Sequence, residues 1–313
     1  MSQHSSASRA VLFLLVVVAL LSASCDLDEE QDADERPLVV ATTTILGDVV
    51  ANLSGDDARV EVLIPLGSDP HDFQASAAQI ADLNRADLVV ANGLGLEEGL
   101  EDVFAAAAGD GVRIFEVAPL LDPLPFESAS EHEQEGVDPH VWLDPLRMAE
   151  AARLIAAELE EIEPGVDWLA RSEEYAGELE QTDQEIIEQL SAVPNENRRL
   201  VSNHESLGYF ASRYEFEVVG VVIPGGSTLA DSSSARLAEL VEVMRREGVT
   251  VIFGETTEPG ALAAAVADEL GEEVEVVPLH TESLGAPGSG AETLIGLLKT
   301  NATLIAEALA SGQ

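Results

Sequence analysis

"VDWLARSEEYAGELEQTDQEIIEQLSAV", residues 166–193, decides how the rest of the chain is read. It holds no proline and one glycine, Gly177, and its apolar side chains recur at three- and four-residue steps, which predicts one long helix. At 1.5 Å per residue that helix reaches about 40 Å, the height of a domain. A helix over "PLRMAEAARLIAAELEEIEP" (145–164) precedes it and is stopped by Pro164. Clean heptads are too few for a coiled coil, so 166–193 reads as a stiff spine between two neighbours.

Those neighbours carry the same pattern twice. "PLVVATTT" (37–44), "RVEVLIP" (59–65), "ADLVVAN" (86–92) and "GVRIFEV" (111–117) have the length and composition of strands, with helical spacing over 45–53, 76–84 and 97–108. After the spine come "RRLVSN" (198–203), "FEVVGVVIP" (216–224), "VTVIFGE" (249–255) and "EVEVVPL" (273–279), with helices near 205–214, 233–247, 259–270 and 290–310. Alternation of this kind predicts an α/β fold of two similar lobes, each a mainly parallel sheet flanked by helices, joined by a long rigid backbone helix. The expected divisions are an N-terminal lobe over 37–164, a linking helix over 165–194 and a C-terminal lobe over 195–313.

The residues before Pro37 belong to neither lobe. Arg9 is followed by "AVLFLLVVVALL" and then by "SASC", which reads as a leader over 1–25. Its apolar run is shorter than the ~20 residues a bilayer span needs. Cys25, the one cysteine of the chain, has no partner for an internal disulfide, and its place after small residues suggests lipoprotein processing with an acylated Cys25. Ser22 stands where such signals usually carry leucine; ordinary secretion is the alternative. "DLDEEQDADER" (26–36) is too polar to bury anything and reads as an acidic tether.

The net charge is −44, from 59 acidic against 15 basic residues, with Lys299 the only lysine. Nucleic acid is thereby disfavoured as a partner, since phosphate binding relies on clustered Lys and Arg. Such charge keeps a protein soluble, and high salt screens its self-repulsion, as in a salt-loving host.

The histidines carry the chemistry. "GSDPHDF" (67–73) and "VDPHVW" (137–142) nearly repeat each other, so His71 and His140 each follow a proline that stiffens the loop. His204, in "VSNHESLGYF", directly follows the first strand of the second lobe, and Glu282, in "PLHTESLG", follows the last. Ligands of open α/β sheets sit beyond the carboxyl ends of the strands, where all four residues fall. Three imidazoles and one carboxylate suit Zn²⁺, although donor softness also admits Cu²⁺, Ni²⁺ and Co²⁺. Asp69 and Asp138 either accept the second ring N–H of a histidine or cap the following turn, and the sequence leaves both open. Glu255, in "FGETTEP", reads equally as a supporting carboxylate or as a helix-leading residue. His132 lies in an acidic loop and reads as solvated; His280, two residues before Glu282, is a weaker candidate ligand.

With "GSDPHDFQAS", "VDPHVWLDP", "VSNHESLGYFASRY", "VIFGETTEP" and "LGAPGSGAETLIGLLKTNATLIAEAL", the chain resembles the zinc/manganese solute-binding proteins of bacterial ABC importers, the ZnuA-type family. The resemblance covers about residues 37–309. It implies metal held between the lobes and delivered to a membrane permease with its ATPase, by a monomer that is not an enzyme. It carries the ligand role to His71, His140 and His204, and to Glu282 where the family usually has aspartate; water is the alternative fourth ligand. Histidine at 204, where manganese-preferring members often carry a carboxylate, favours Zn²⁺ over Mn²⁺ or iron. The His-rich insert common in zinc-preferring members is absent from 127–136. A metal-dependent hydrolase and a metal-stabilised surface adhesin are the rival readings. Glu205 and Glu255 are the possible bases of the first, but four protein ligands would leave no position for a reacting water.

Overall fold

Two parallel four-stranded sheets form where the sequence alternates. A computed structural model describes residues 35–126, 136–229, 232–257, 260–270 and 274–310. The leader with Cys25, the tether up to Asp34, and His132 lie outside the described residues. The first sheet contains β1 (Leu38–Ala41), β2 (Arg59–Val62), β3 (Leu88–Ala91) and β4 (Ile114–Glu116), in the order β2-β1-β3-β4. The second contains β5 (Arg199–Ser202), β6 (Glu217–Val221), β7 (Val251–Glu255) and β8 (Glu275–Leu279), in the order β6-β5-β7-β8. The two lobes thus share one topology, and each has its switch point beside its first strand.

Burial explains which strands are central. β1 and β3 both read "LVVA" and are buried throughout, as is β7, because helices cover both faces of a parallel sheet. β2, with "RVEV", stands at an edge, where Glu61 and Val62 are exposed. The crossover helices are α1 (Thr44–Ser54), α2 (Ala77–Leu83) and α3 (Glu101–Gly109) in the first lobe, and α6 (Gly208–Tyr214), α7 (Ser234–Glu247) and α8 (Ala261–Leu270) in the second. Thr43, Ser76 and Ser233 cap α1, α2 and α7 by accepting a backbone N–H. Helix α1 lies tightly on its sheet, since a Cβ on Gly47 would come within 2.5 Å of Val62.

The predicted spine is α5 (Trp168–Leu190), preceded by α4 (Pro145–Ile162), and α9 (Leu294–Ala310) closes the chain. Trp168, Ser172, Tyr175, Leu179, Thr182, Asp183, Ile186 and Leu190 are the buried stripe of α5, spaced by three and four residues. Its 23 residues span about 35 Å, and the polar members of the stripe tie both lobes to it. Tyr175 donates its hydroxyl to Asp48 of α1 at 3.2 Å, and the same carboxylate oxygen accepts Leu294 N at the start of α9 at 3.0 Å. Lower down, the buried carboxylate of Asp183 accepts from Arg213 Nε and Nη2 at 2.8 and 2.5 Å and from the Tyr214 hydroxyl at 3.2 Å. The lobes therefore belong to one compact unit that begins at Pro37.

Removing one partner of a buried charge pair is costly because the other is left unmatched. Asp183→Ala should destabilise the protein by about 2–4 kcal/mol, discounted for the partial exposure of Arg213. Arg153→Ala, which breaks exposed pairs with Glu173 and Glu180, should leave stability nearly unchanged, because solvent screens such pairs. Urea unfolding of both variants measures the difference.

Candidate metal centre

The carboxyl ends of the strands deliver the four candidate residues to one place. His71 follows β2, and Pro70 precedes it. His140 follows β4 and immediately precedes a short 3₁₀ turn (Val141–Leu143) that leads into α4. His204 follows β5, and β7, its neighbour at the switch point, ends on Glu255. Glu282 follows β8.

One ligand atom from each of His71, His140, His204 and Glu282 lies within 4.8 Å of the others. His140 Nε2 and His204 Nε2 are 3.1 Å apart, and Glu282 Oε1 lies 3.7 and 3.6 Å from them. His71 Nε2 lies 3.8 Å from Glu282 Oε2. Four donors about 2.0–2.1 Å from one Zn²⁺ stand about 3.3 Å from each other, and the 3.1–3.8 Å gaps lie near that spacing. All four side chains are buried, and Glu282 Oε1, Glu282 Oε2 and His71 Nε2 have no hydrogen-bond partner among the described residues. Buried polar atoms of that kind are normally satisfied. Their shared direction fits a cation as the missing partner.

Buried carboxylates orient two of the rings from behind. Asp138 Oδ1 lies 2.7 Å from His140 Nδ1 and also accepts the His140 backbone N–H at 2.9 Å, so it both orients the ring and caps the turn. Glu255 Oε1 holds His204 Nδ1 in a short bond. Asp69 does something else: it accepts His71 N at 2.8 Å and the Thr228 hydroxyl at 2.5 Å, capping the first loop and tying it to the second lobe without touching the ring. His280 stands apart from the cluster, exchanging backbone bonds with the Asn301 side chain.

Several supporting residues carried no signal for a reading built on histidines. Trp142 donates Nε1 to Thr281 O at 2.6 Å, fixing the segment that carries Glu282. Ser283 Oγ accepts Gly67 N at 2.9 Å and contacts Thr44 Oγ1 at 3.3 Å, clasping that segment to the first lobe. Glu97 is buried and accepts from Thr42 Oγ1, Asn92 N and Gly93 N at 2.6, 2.8 and 3.1 Å, while Asn92 Nδ2 donates to Pro139 O beside His140. Trp142 and Ser283 lie inside the quoted motifs, so asking what surrounds each ligand in sequence would have found them.

The electrostatics follow from burial. Desolvation, reinforced by the other two histidines, drives His71 down to about 2, and desolvation holds His140 well below the usual imidazole range. Burial opposes a charge on His204 too, but Glu255 overrides it by charge and hydrogen bond, with help from Glu282, and raises His204 to about 9. Against its own burial, Glu255 is held low by His204. Burial pushes Glu282 well above the carboxylate range and Asp138 up to about 8. Burial thus favours the neutral forms of His71, His140, Asp138 and Glu282, and His204 with Glu255 forms the ion pair of the pocket. A divalent cation that displaces the protons of His204 and Glu282 leaves the pocket neutral again.

A pair of topologically equal α/β lobes on a long helix, with a buried three-imidazole, one-carboxylate pocket between them, defines a class of binding protein. The chain belongs to the family described as zinc-uptake complex component A, periplasmic, whose sequence model matches residues 39–308. Membership makes it a component of a metal-uptake complex and not an enzyme. Among individual relatives, it is 29% identical to the manganese-binding lipoprotein MntA of Halalkalibacterium halodurans, over 92% of this chain and 94% of that protein. It is 30% identical to the zinc-binding protein TroA of Treponema pallidum, over 89% and 90% of the two chains. The solved structure of the Treponema pallidum periplasmic zinc-binding protein TroA superposes with a TM-score of 0.78 at 28% identity, covering 88% of this chain and 99% of that one.

Because burial and Glu255 favour protonated His204 and Glu282, metal uptake should release about one to two protons at pH 7. His204 keeps its proton until about pH 9, so apparent affinity should climb roughly ten- to a hundredfold per unit between pH 6 and 8, as one or two protons are displaced. Calorimetric titration in buffers of different ionisation enthalpy counts the protons, and release of fewer than one would refute the exchange.

Proposed function

We propose that the chain captures a divalent metal ion outside the cytoplasmic membrane and hands it to the permease of an ABC importer, with Zn²⁺ as the ion. His71, His140, His204 and Glu282 are the ligands. The observation that supports this most strongly is the set of buried atoms without partners among the described residues, Glu282 Oε1 and Oε2 and His71 Nε2, gathered beside the two facing histidine nitrogens. Nitrogen donors outnumber oxygen donors three to one, a balance that suits zinc better than a hard cation.

Manganese is the second reading, and one feature of the site favours it. Both oxygens of Glu282 lack partners, so the carboxylate can bind through two atoms, adding an oxygen donor of the kind Mn²⁺ prefers. MntA of Halalkalibacterium halodurans is named for manganese and TroA for zinc, so relatives leave both ions in play.

The leader over 1–25 directs export, and an acylated Cys25 anchors the protein to the outer face of the membrane through the acidic tether. No helix among the described residues is long and apolar enough to cross a membrane. The lobes over 37–164 and 195–313, with the linking helix over 165–194, act as a monomer. Spine and clasps favour a small tilt between lobes for release, with the permease and its ATPase as partners.

One equivalent of Zn²⁺ should bind reversibly, and a competition titration should place Zn²⁺ ahead of Mn²⁺; the reverse order would assign the protein to manganese. His140→Ala should weaken Zn²⁺ binding by at least about a hundredfold while the unfolding transition of the metal-free protein survives. Glu282→Ala should cost less than loss of any of the three histidines. Unchanged affinity in His140→Ala would remove that residue from the site.

A further inference from the structure

Each of the three histidines has its inner nitrogen in the pocket, but their outer nitrogens are not treated alike. His140 Nδ1 has Asp138 at 2.7 Å and His204 Nδ1 has Glu255 in a short bond. His71 is 1% exposed, and its Nδ1 has no hydrogen-bond partner among the described residues. The carboxylate facing it is Glu98, whose Oε1 lies 3.8 Å away. A histidine that ligates through Nε2 carries its proton on Nδ1, and a buried N–H of that kind needs an acceptor.

The turn that carries Glu98 is built to face His71. Glu97, its neighbour, is buried and anchored by two backbone N–H groups and the Thr42 hydroxyl, which fixes the short 3₁₀ turn Glu98–Leu100 in orientation. The next residue is Gly99, where a Cβ would come within 2.2 Å of Phe73 O and 2.3 Å of the Gln74 side chain. No side chain fits there, so the turn docks directly on the loop that carries His71. Two adjacent glutamates thus take opposite tasks, one inward as an anchor and one toward the ring.

We propose that Glu98 is the positioning residue for His71, accepting its Nδ1–H when metal binds and so completing a carboxylate–imidazole pair for every histidine of the site. Moving Oε1 about 1 Å closer makes the bond, a shift that the side chain of Glu98 can make by rotation because it is 40% exposed. Asp138 and Glu255 are 3% and 1% exposed. The His71 arm is therefore the adjustable one, supported by a carboxylate that exchanges with solvent, whereas the other two arms are fixed. This inference rests on His71 being a ligand.

The test measures Zn²⁺ affinity by chelator competition for the wild-type protein and for Glu98→Ala, Glu98→Gln, Glu101→Ala and His71→Ala. Glu98→Ala should bind about 10–100-fold more weakly, the usual loss for a partner behind a ligating histidine. Glu98→Gln, which keeps an uncharged acceptor, should recover part of that loss, and Glu101→Ala, an exposed charge on the following helix, should stay within about twofold. In the Zn²⁺-loaded protein, the Nδ1–H proton resonance of His71 should lie downfield in the wild type and move upfield in Glu98→Ala. Glu98→Ala within twofold of wild type, or losing no more than Glu101→Ala, would overturn the proposal. His71→Ala separates the two levels: its failure to weaken binding would remove the ligand assignment itself, whereas a large loss there beside an unaffected Glu98→Ala would remove Glu98 alone.

Discussion

Three imidazoles and a carboxylate share a pocket that water does not reach, and each charge placed there must be matched. An unpaired buried ion costs several kcal/mol, and burial answers by shifting protonation until charge disappears. His71, His140 and Glu282 are pushed toward their neutral forms, while His204 keeps its proton because Glu255 sits against it. Neutral forms lower the cost of burying these groups, and their atoms without partners among the described residues suit a cation. Displacement of protons by a divalent ion would satisfy both conditions.

Topology brings the groups together. In each sheet the chain leaves its first strand at the switch point, where strands on either side diverge and a crevice opens. His204 leaves β5 at that point and Glu255 ends β7 beside it, so the histidine and the carboxylate bonded to its ring come from adjacent strands. The first lobe reaches the same crevice with two proline-stiffened loops. Crossing interactions then fix the distance between lobes: Trp142 to Thr281, Ser283 to Gly67 and Tyr209 Oη to Asp138 O at 2.7 Å. Gly208 leaves no room for looseness, since a Cβ there would lie 2.6 Å from Asp138 Oδ2.

The strands and helices were legible because their periodicity is strong and their breaks carry Gly, Pro or capping residues. Strand-length runs such as "LVVA" are buried on both faces, so their continuous apolarity gave a parallel sheet directly. The histidines were legible because proline-stiffened repeats at strand ends are unusual. Asp138 and Glu255 were legible as candidate supports, but which carboxylate reaches a ring was not. Whether Asp69 turns to a ring or to a backbone depends on a rotamer, and the sequence patterns of Asp69 and Asp138 are the same although their contacts differ. Glu97 and Glu98 are two glutamates among 59 acidic residues; only their opposite burial distinguishes them, and burial of one residue in a turn is decided by the packing of β1, β3 and the His71 loop around it.

Convergence of imidazoles from both lobes on one ion is best tested at the ion itself. X-ray absorption at the zinc K-edge, on protein loaded with one equivalent, reads the ligand shell without reference to the fold. Three imidazole nitrogens and a carboxylate oxygen near about 2.0–2.1 Å are expected. A shell of oxygens with one imidazole or none would contradict the site.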